Sequence, residues 1–247
     1  SRLEVFRESE GEIPGLAANY PKVFEISLRK MKIRWGVAVA WLALACASLA
    51  SCGGGSDVPA EVQALLELDR GIELENASNF ERAHDAYATA IDIDPNFAEA
   101  YARRGRSYLR YENLRPSLAD LNKAIEIDPD LAIGHLYRGM FMAKIERWDE
   151  ASLDMTKSIE LDPSNVDAYL QRSRLFAERD EPESGLADLD SAIALDVQSA
   201  DLYMERAALH MIVGNTANAA ADLEQVLSVS QNDEQLMVVR QMLSIIR

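Results

Sequence analysis

Cysteine is nearly missing from this 247-residue chain: it occurs at Cys46 and Cys52 and nowhere after them. The long remainder can therefore form no disulfide and no cysteine-built metal site, and its fold must rest on packing, which about 190 residues can supply unaided. Basic residues are scarce as well, 25 Lys and Arg against 41 Asp and Glu for a net charge of -16, which argues against a non-specific grip on nucleic acid or anionic lipid. Histidine is limited to His84, His135 and His210, at unrelated places and without Glu or Cys at ligand spacing, so a metal site or a His-based dyad has no support. The chain has neither a Gly-x-Ser-x-Gly elbow nor a phosphate-binding Gly-rich loop opening on Lys. The Asp-x-Asp pairs ending at Asp94 and Asp130 lack the glycine and terminal Glu of a calcium loop and read as solvated turn carboxylates. These absences leave no enzyme, metal or cofactor to argue for. Apolar residues, by contrast, make up 48% of the chain, enough for a buried core.

The longest apolar stretch free of charge, Val37 to Ala50, is shorter than the roughly 20 residues a spanning helix needs. Lys32 and Arg34 precede it, which is the layout of an export signal. The stretch ends in Leu49-Ala50-Ser51-Cys52, which resembles the lipobox of bacterial lipoproteins. The resemblance implies cleavage before Cys52, a lipid on its thiol, and, with no Asp after the cysteine, an outer-membrane location facing the periplasm. Residues 52–58, with Gly53, Gly54 and Gly55, suit a flexible tether. Residues 31–51 are then the leader, and residues 1–30, which carry no clear period, read as upstream translation or disorder.

Beyond the tether a period of 34 residues governs the sequence. Ile-Asp-Ile-Asp-Pro ends at Pro95, Ile-Glu-Ile-Asp-Pro at Pro129 and Ile-Glu-Leu-Asp-Pro at Pro163, and the pattern continues to Val197 and Gln231. Small residues recur with it: Gly71, Gly105, Gly139, Ser173 and Ala207 in one predicted helix, and Ala83, Ser117, Ala151, Gly185 and Ala219 in the next. Another small site holds Ala90, Ala124, Ser158 and Ala192 and fails at Val226; aromatic side chains stand at Tyr101, Tyr108, Tyr169, Phe176 and Tyr203. A helix-turn-helix unit of this length with these small positions resembles the tetratricopeptide (TPR) repeat. The resemblance departs at Glu67, where the family has an aromatic residue, and in the last two units, which lack the closing proline.

The expected fold is all-α: a right-handed superhelical TPR solenoid of about five units, at 64–97, 98–131, 132–165, 166–199 and 200–231 within a repeat region 59–231, closed by a capping helix at 232–247. That last helix carries Leu236, Val239, Met242, Leu243 and Ile246 at helical spacing, suited to covering the end of the stack or to docking on a partner. Asp57, Pro59 and Glu61 read as a helix start, Asn96 with Glu99 and Ser164 with Asp167 as capping boxes, and Gly214 as a helix stop.

Arg70, Arg104, Arg138, Arg172 and Arg206 repeat without a gap in the first helices. Asp120, Asp154, Asp188 and Asp222 lie sixteen residues after the last four of them, whereas the first unit has Ala86. These residues are expected to form a structural Arg–Asp ladder that sets helix register, because a charge at a close helix contact is costly unpaired.

By the resemblance, the first helix of each unit lines a concave groove that binds partner segments. Mapped here, the groove comprises Leu68 and Ile72; Arg103, Arg106 and Arg110; Leu136, Tyr137, Met140 and Lys144; then Leu170, Arg174, Met204 and Ala208. The three arginines of the second unit share one helical face, so acidic side chains of a partner would dock there, with apolar anchors near Leu136 and Met140. The family's clamp for a C-terminal carboxylate needs Lys and Asn where Leu68 and Ile72 stand. The expected role is a lipid-anchored scaffold for proteins of the bacterial cell envelope, with no nucleic-acid partner. An assembly factor for a pilus or secretion pore, and a component of polysaccharide export or carbohydrate binding, are the alternatives. Trp148 at a turn makes a poor sugar platform by itself.

Overall fold

A computed structural model of the chain describes residues 58–246. The leader, Cys52 and most of the tether lie outside the described residues. Those residues are all-α: α1 (Ala60–Asn76), α2 (Phe80–Ile93), α3 (Ala98–Arg110), α4 (Leu114–Ile127), α5 (Ala132–Lys144), α6 (Trp148–Leu161), α7 (Val166–Glu178), α8 (Pro182–Leu195), α9 (Ala200–Ile212), α10 (Thr216–Val229) and α11 (Asp233–Ile246). They fall into a helix pair, α1 with α2, and a larger stack from residue 96 onward.

In the pair, Gly71 of α1 lies against the Tyr87 ring of α2, where a Cβ would come within 2.3 Å of the ring. The Tyr87 hydroxyl donates back to Glu75 at 2.8 Å. In the stack, α3 packs on α4, α5 on α6, α7 on α8 and α9 on α10; each second helix also touches the next first helix, and α11 closes against α10. The small residues set this spacing. A Cβ on Gly105 would meet Leu121 at 2.8 Å, and one on Gly139 would meet Met155 at 2.8 Å. The Ser117 hydroxyl, fully buried, donates to the Gly105 carbonyl at 2.8 Å, so its small polar side chain is satisfied across the same contact. Val226 is fully buried at the site where earlier units have Ala or Ser.

Every turn inside a pair uses one geometry. Ser78, Glu112, Glu146, Asp180 and Gly214, again 34 residues apart, all have positive φ, between 55° and 76°. The amide of the next residue donates back over five residues: Asn79 to Leu74, Asn113 to Tyr108, Arg147 to Met142, Glu181 to Phe176 and Asn215 to His210, at 2.7–2.9 Å. This is the Schellman ending of a helix, which satisfies carbonyls left open at its last turn. Gly214 therefore ends α9 as its sequence suggests. Second helices stop differently. The side chains of Asp128, Asp162 and Asp196 accept from the amides of Asp130, Ser164 and Gln198 at 3.0–3.2 Å, forming Asx turns. Asp196 does this with Val197 in place of proline, so the missing proline costs the fourth unit no turn.

Two capping expectations are corrected. The cap of α3 is Phe97, with no side-chain hydrogen bond, because Asn96 lies one residue too early in the turn. At α7 the cap is Asn165, whose side chain accepts from the Ala168 amide at 3.3 Å, while the Ser164 hydroxyl donates to Asp162. The first helix begins at Ala60 after Pro59, close to its expected start.

Candidate interaction site

Four Arg–Asp pairs cross the stack, each between the two helices of one unit. In each pair Nε and Nη2 of the arginine donate to the two carboxylate oxygens: Arg104 to Asp120 at 2.7 and 2.9 Å, Arg138 to Asp154 at 2.7 and 2.8 Å, Arg172 to Asp188 at 2.8 and 2.6 Å, and Arg206 to Asp222 at 3.0 and 2.6 Å. All four aspartates are buried and the arginines are only partly so. Parallel N–H donors matched to a carboxylate fix both distance and rotation between the helices. The hydrogen bond to its aspartate, acting against burial, holds each guanidinium pKa above its ordinary value.

A second set of bonds is less evident from the sequence. The free Nη1 of Arg138, Arg172 and Arg206 donates to Asn122, Thr156 and Asp190 at 3.2, 3.0 and 2.6 Å. Those acceptors lie sixteen residues earlier, on the second helix of the preceding unit. Each of these arginines thus binds its own unit to the one before it. Asn, Thr and Asp at one repeat position was the only available signal. Aromatic rings lie beside the ladder, Tyr101 and Tyr203 having Arg104 and Arg206 5.5 and 5.7 Å from their centroids.

Where the neighbouring units have Tyr, His135 joins the second rung: Nδ1 lies 3.2 Å from Asp154 and Nε2 2.9 Å from the Pro129 carbonyl. Both ring nitrogens thus face acceptors. The Asp154 bond, against burial, raises the His135 pKa above its usual value. Burial opposes the charge on Asp154, yet the bonds from Arg138 and His135 outweigh it and leave that carboxyl below its usual range.

The groove residues separate into open and closed positions. Leu68, Leu136 and Tyr137 are only 3%, 1% and 5% exposed, and Leu136 and Tyr137 belong to the core around Phe141 and Met155. They cannot serve as contact residues for a partner, which corrects the expected anchor at Leu136. Met140, Leu170 and Met204 are half-buried against the core, Ile72 of the separate first pair is half-buried, and Ala208 is exposed. Arg103 donates to Glu99 at 3.0 Å, Arg106 to the Tyr137 hydroxyl at 3.3 Å, and Lys144 to Glu112 at 3.0 Å. Arg174 pairs with Glu205 across successive units, and Arg110 is exposed. Much of the basic spot is therefore matched internally. Trp148 starts α6 and packs on the core, with Arg179 and Asp149 paired beside it at 3.0 Å. Among the described residues no His, Cys, Asp and Glu cluster is placed to hold a metal, and no helix is long and apolar enough to cross a membrane.

Paired helices in register, tied by a ladder at one repeat position, define a helical-repeat protein. Residues 98–131 match the family model of the tetratricopeptide repeat. The fold is that of solved TPR proteins. The chain is similar to TTC0263 of Thermus thermophilus, a thermophilic TPR protein, at 18% identity and a TM-score of 0.63, over 74% of this chain and 98% of the other. PilF of Pseudomonas aeruginosa gives 16% identity and a TM-score of 0.63 over 76% and 90%. PilW, a type IV pilus biogenesis factor, gives 18% and 0.64 over 74% and 85%. No curated protein sequence matches the chain.

Proposed function

We propose that this chain is a scaffold held at a bacterial membrane by a lipid on Cys52, with the free faces of its first helices binding segments of envelope proteins. The carrying observation is the row of side chains at one repeat position, Arg106, Met140, Arg174 and Ala208, which lies outside the fully buried core. Solenoids present such rows as extended docking surfaces. Arg103, Arg110 and Lys144 flank the row, so a partner segment with carboxylates would exchange with Glu99 and Glu112 for these cations. Apolar contact would come from the half-buried Met140, Leu170 and Met204.

Reversing Arg103 and Arg106 to Glu in the full chain tests this reading. Capture of proteins from envelope extract should be lost while the helical circular dichroism spectrum is kept; capture at the original level would refute the docking face. Intact mass of membrane-extracted protein, compared with Cys52→Ala, tests the tether. A lipid-sized increment on a chain beginning at Cys52, lost in the variant, is expected, and an unmodified chain would remove the anchor.

A second reading, an assembly factor for a pilus, is favoured by the likeness of fold to PilF and PilW. Its mark would be a pilus or secretin component among the captured proteins.

A further inference from the structure

The last described helix continues the repeat. Arg240 lies 34 residues after Arg206, and Leu236 after Leu202, so α11 stands as the first helix of a sixth unit. In α3, α5, α7 and α9 the side of the helix that carries the ladder arginine is covered by the second helix of the same unit. Tyr101, His135, Tyr169 and Tyr203, at the position of Met237, are accordingly buried or half-buried. No second helix follows α11 among the described residues. Met237 is 64% and Ile245 74% exposed, and Arg240, Gln241 and Ser244 are exposed beside them, while Val239 and Leu243 on the opposite side are buried.

Two features identify the occupant of this face. Gln241 stands where the other units have Gly, Ser or Ala, so a helix packed on this face meets a larger side chain than on any earlier first helix. The charges, however, are arranged to complement themselves. Asp233 and Arg240 are seven residues apart and share one flank of α11; Glu234 and Gln241 share the other. Two such helices laid antiparallel about a two-fold axis bring like flanks together, because an isologous contact meets its own surface.

We propose that α11 is a dimerisation helix, pairing antiparallel with α11 of a second copy about an axis near Met237. Asp233 of each copy then meets Arg240 of the other, Glu234 meets Gln241, and Met237 packs on its counterpart. Among the described residues neither Asp233 nor Arg240 makes an ion pair within its own chain, so both charges are available to this contact.

Sedimentation velocity of the full chain carrying Cys52→Ala, from about 1 to 100 µM, tests the pairing in the range of weak specific association. The parent is expected to dimerise. Arg240→Asp and Asp233→Arg should each raise the dissociation constant at least tenfold by placing like charges together, and an equimolar mixture of the two variants should restore a heterodimer. Met237→Glu changes a side chain already in solvent, so it should leave the circular dichroism melt of the monomer unchanged and abolish the dimer. A parent that stays monomeric throughout, a dimer indifferent to Arg240→Asp and Met237→Glu, or a mixture of folded charge variants that remains monomeric would overturn the proposal.

Discussion

Replacing Arg172 by Met tests the ladder at its cleanest rung. Asp188 is buried and accepts both parallel N–H bonds of Arg172. Without them the carboxylate forgoes two charge-assisted hydrogen bonds, each worth about 1.5–3 kcal/mol. Removing one partner of a buried ion pair typically costs about 3–5 kcal/mol, so Arg172→Met should cost about that much. Loss of the Arg172 bond to Thr156, which ties two units together, adds roughly 0.5–1 kcal/mol. Arg172→Met with Asp188→Leu should recover most of this, because two apolar groups in place of a buried ion pair leave no charge unmatched. The assay is urea unfolding of the full chain followed by helical circular dichroism. A single variant costing under about 1 kcal/mol, or a double variant as unstable as the single, would refute the reasoning.

The turn geometry predicts that Glu146→Gly, which relieves an L-residue held at φ 60°, raises stability by up to about 1 kcal/mol, whereas Gly214→Ala at φ 76° loses about that much; thermal unfolding checks both. Gly139→Val would place a branched side chain where even a Cβ lies 2.8 Å from Met155 and 3.2 Å from the Ala151 carbonyl, at a cost of roughly 2–3 kcal/mol in the same assay. His135 has a raised folded pKa, so its contribution is full below the unfolded value near 6.5 and is lost as pH rises through the folded one. His135→Tyr, the residue of neighbouring units, should therefore flatten the stability profile of the chain on the alkaline side of pH 6.5, and an unchanged profile would count against the His135–Asp154 contact.

The period, the small contact positions and the Arg and Asp spacing are all visible in the sequence because each depends on one residue type at one repeat position. What the sequence concealed depends on how a first helix is shared. Inside the stack α5 touches its own second helix, the second helix before it and the neighbouring first helices, so only a narrow strip stays free. Leu136 and Tyr137, assigned to the groove, turn into those contacts, whereas Met140 and Lys144 stay nearer the strip. The positive φ of Glu112, Glu146 and Asp180 was hidden for a different reason. Only Gly214 carries the residue that such a backbone favours, and the other units accept a strained one.

The third arginine donor explains why the ladder can organise more than one unit at a time. A bond confined to one unit would fix each helix pair and leave the angle between pairs to apolar packing, which is non-directional. Because Nη1 of Arg138, Arg172 and Arg206 reaches back to Asn122, Thr156 and Asp190, each guanidinium, planar and rigid, carries the orientation of one pair into the next. Arg240 repeats that position, with no second helix to receive it among the described residues. The same side chain that orders the interior of the array thus becomes, at the last described helix, a charge on an open face, which the proposed α11 pairing uses.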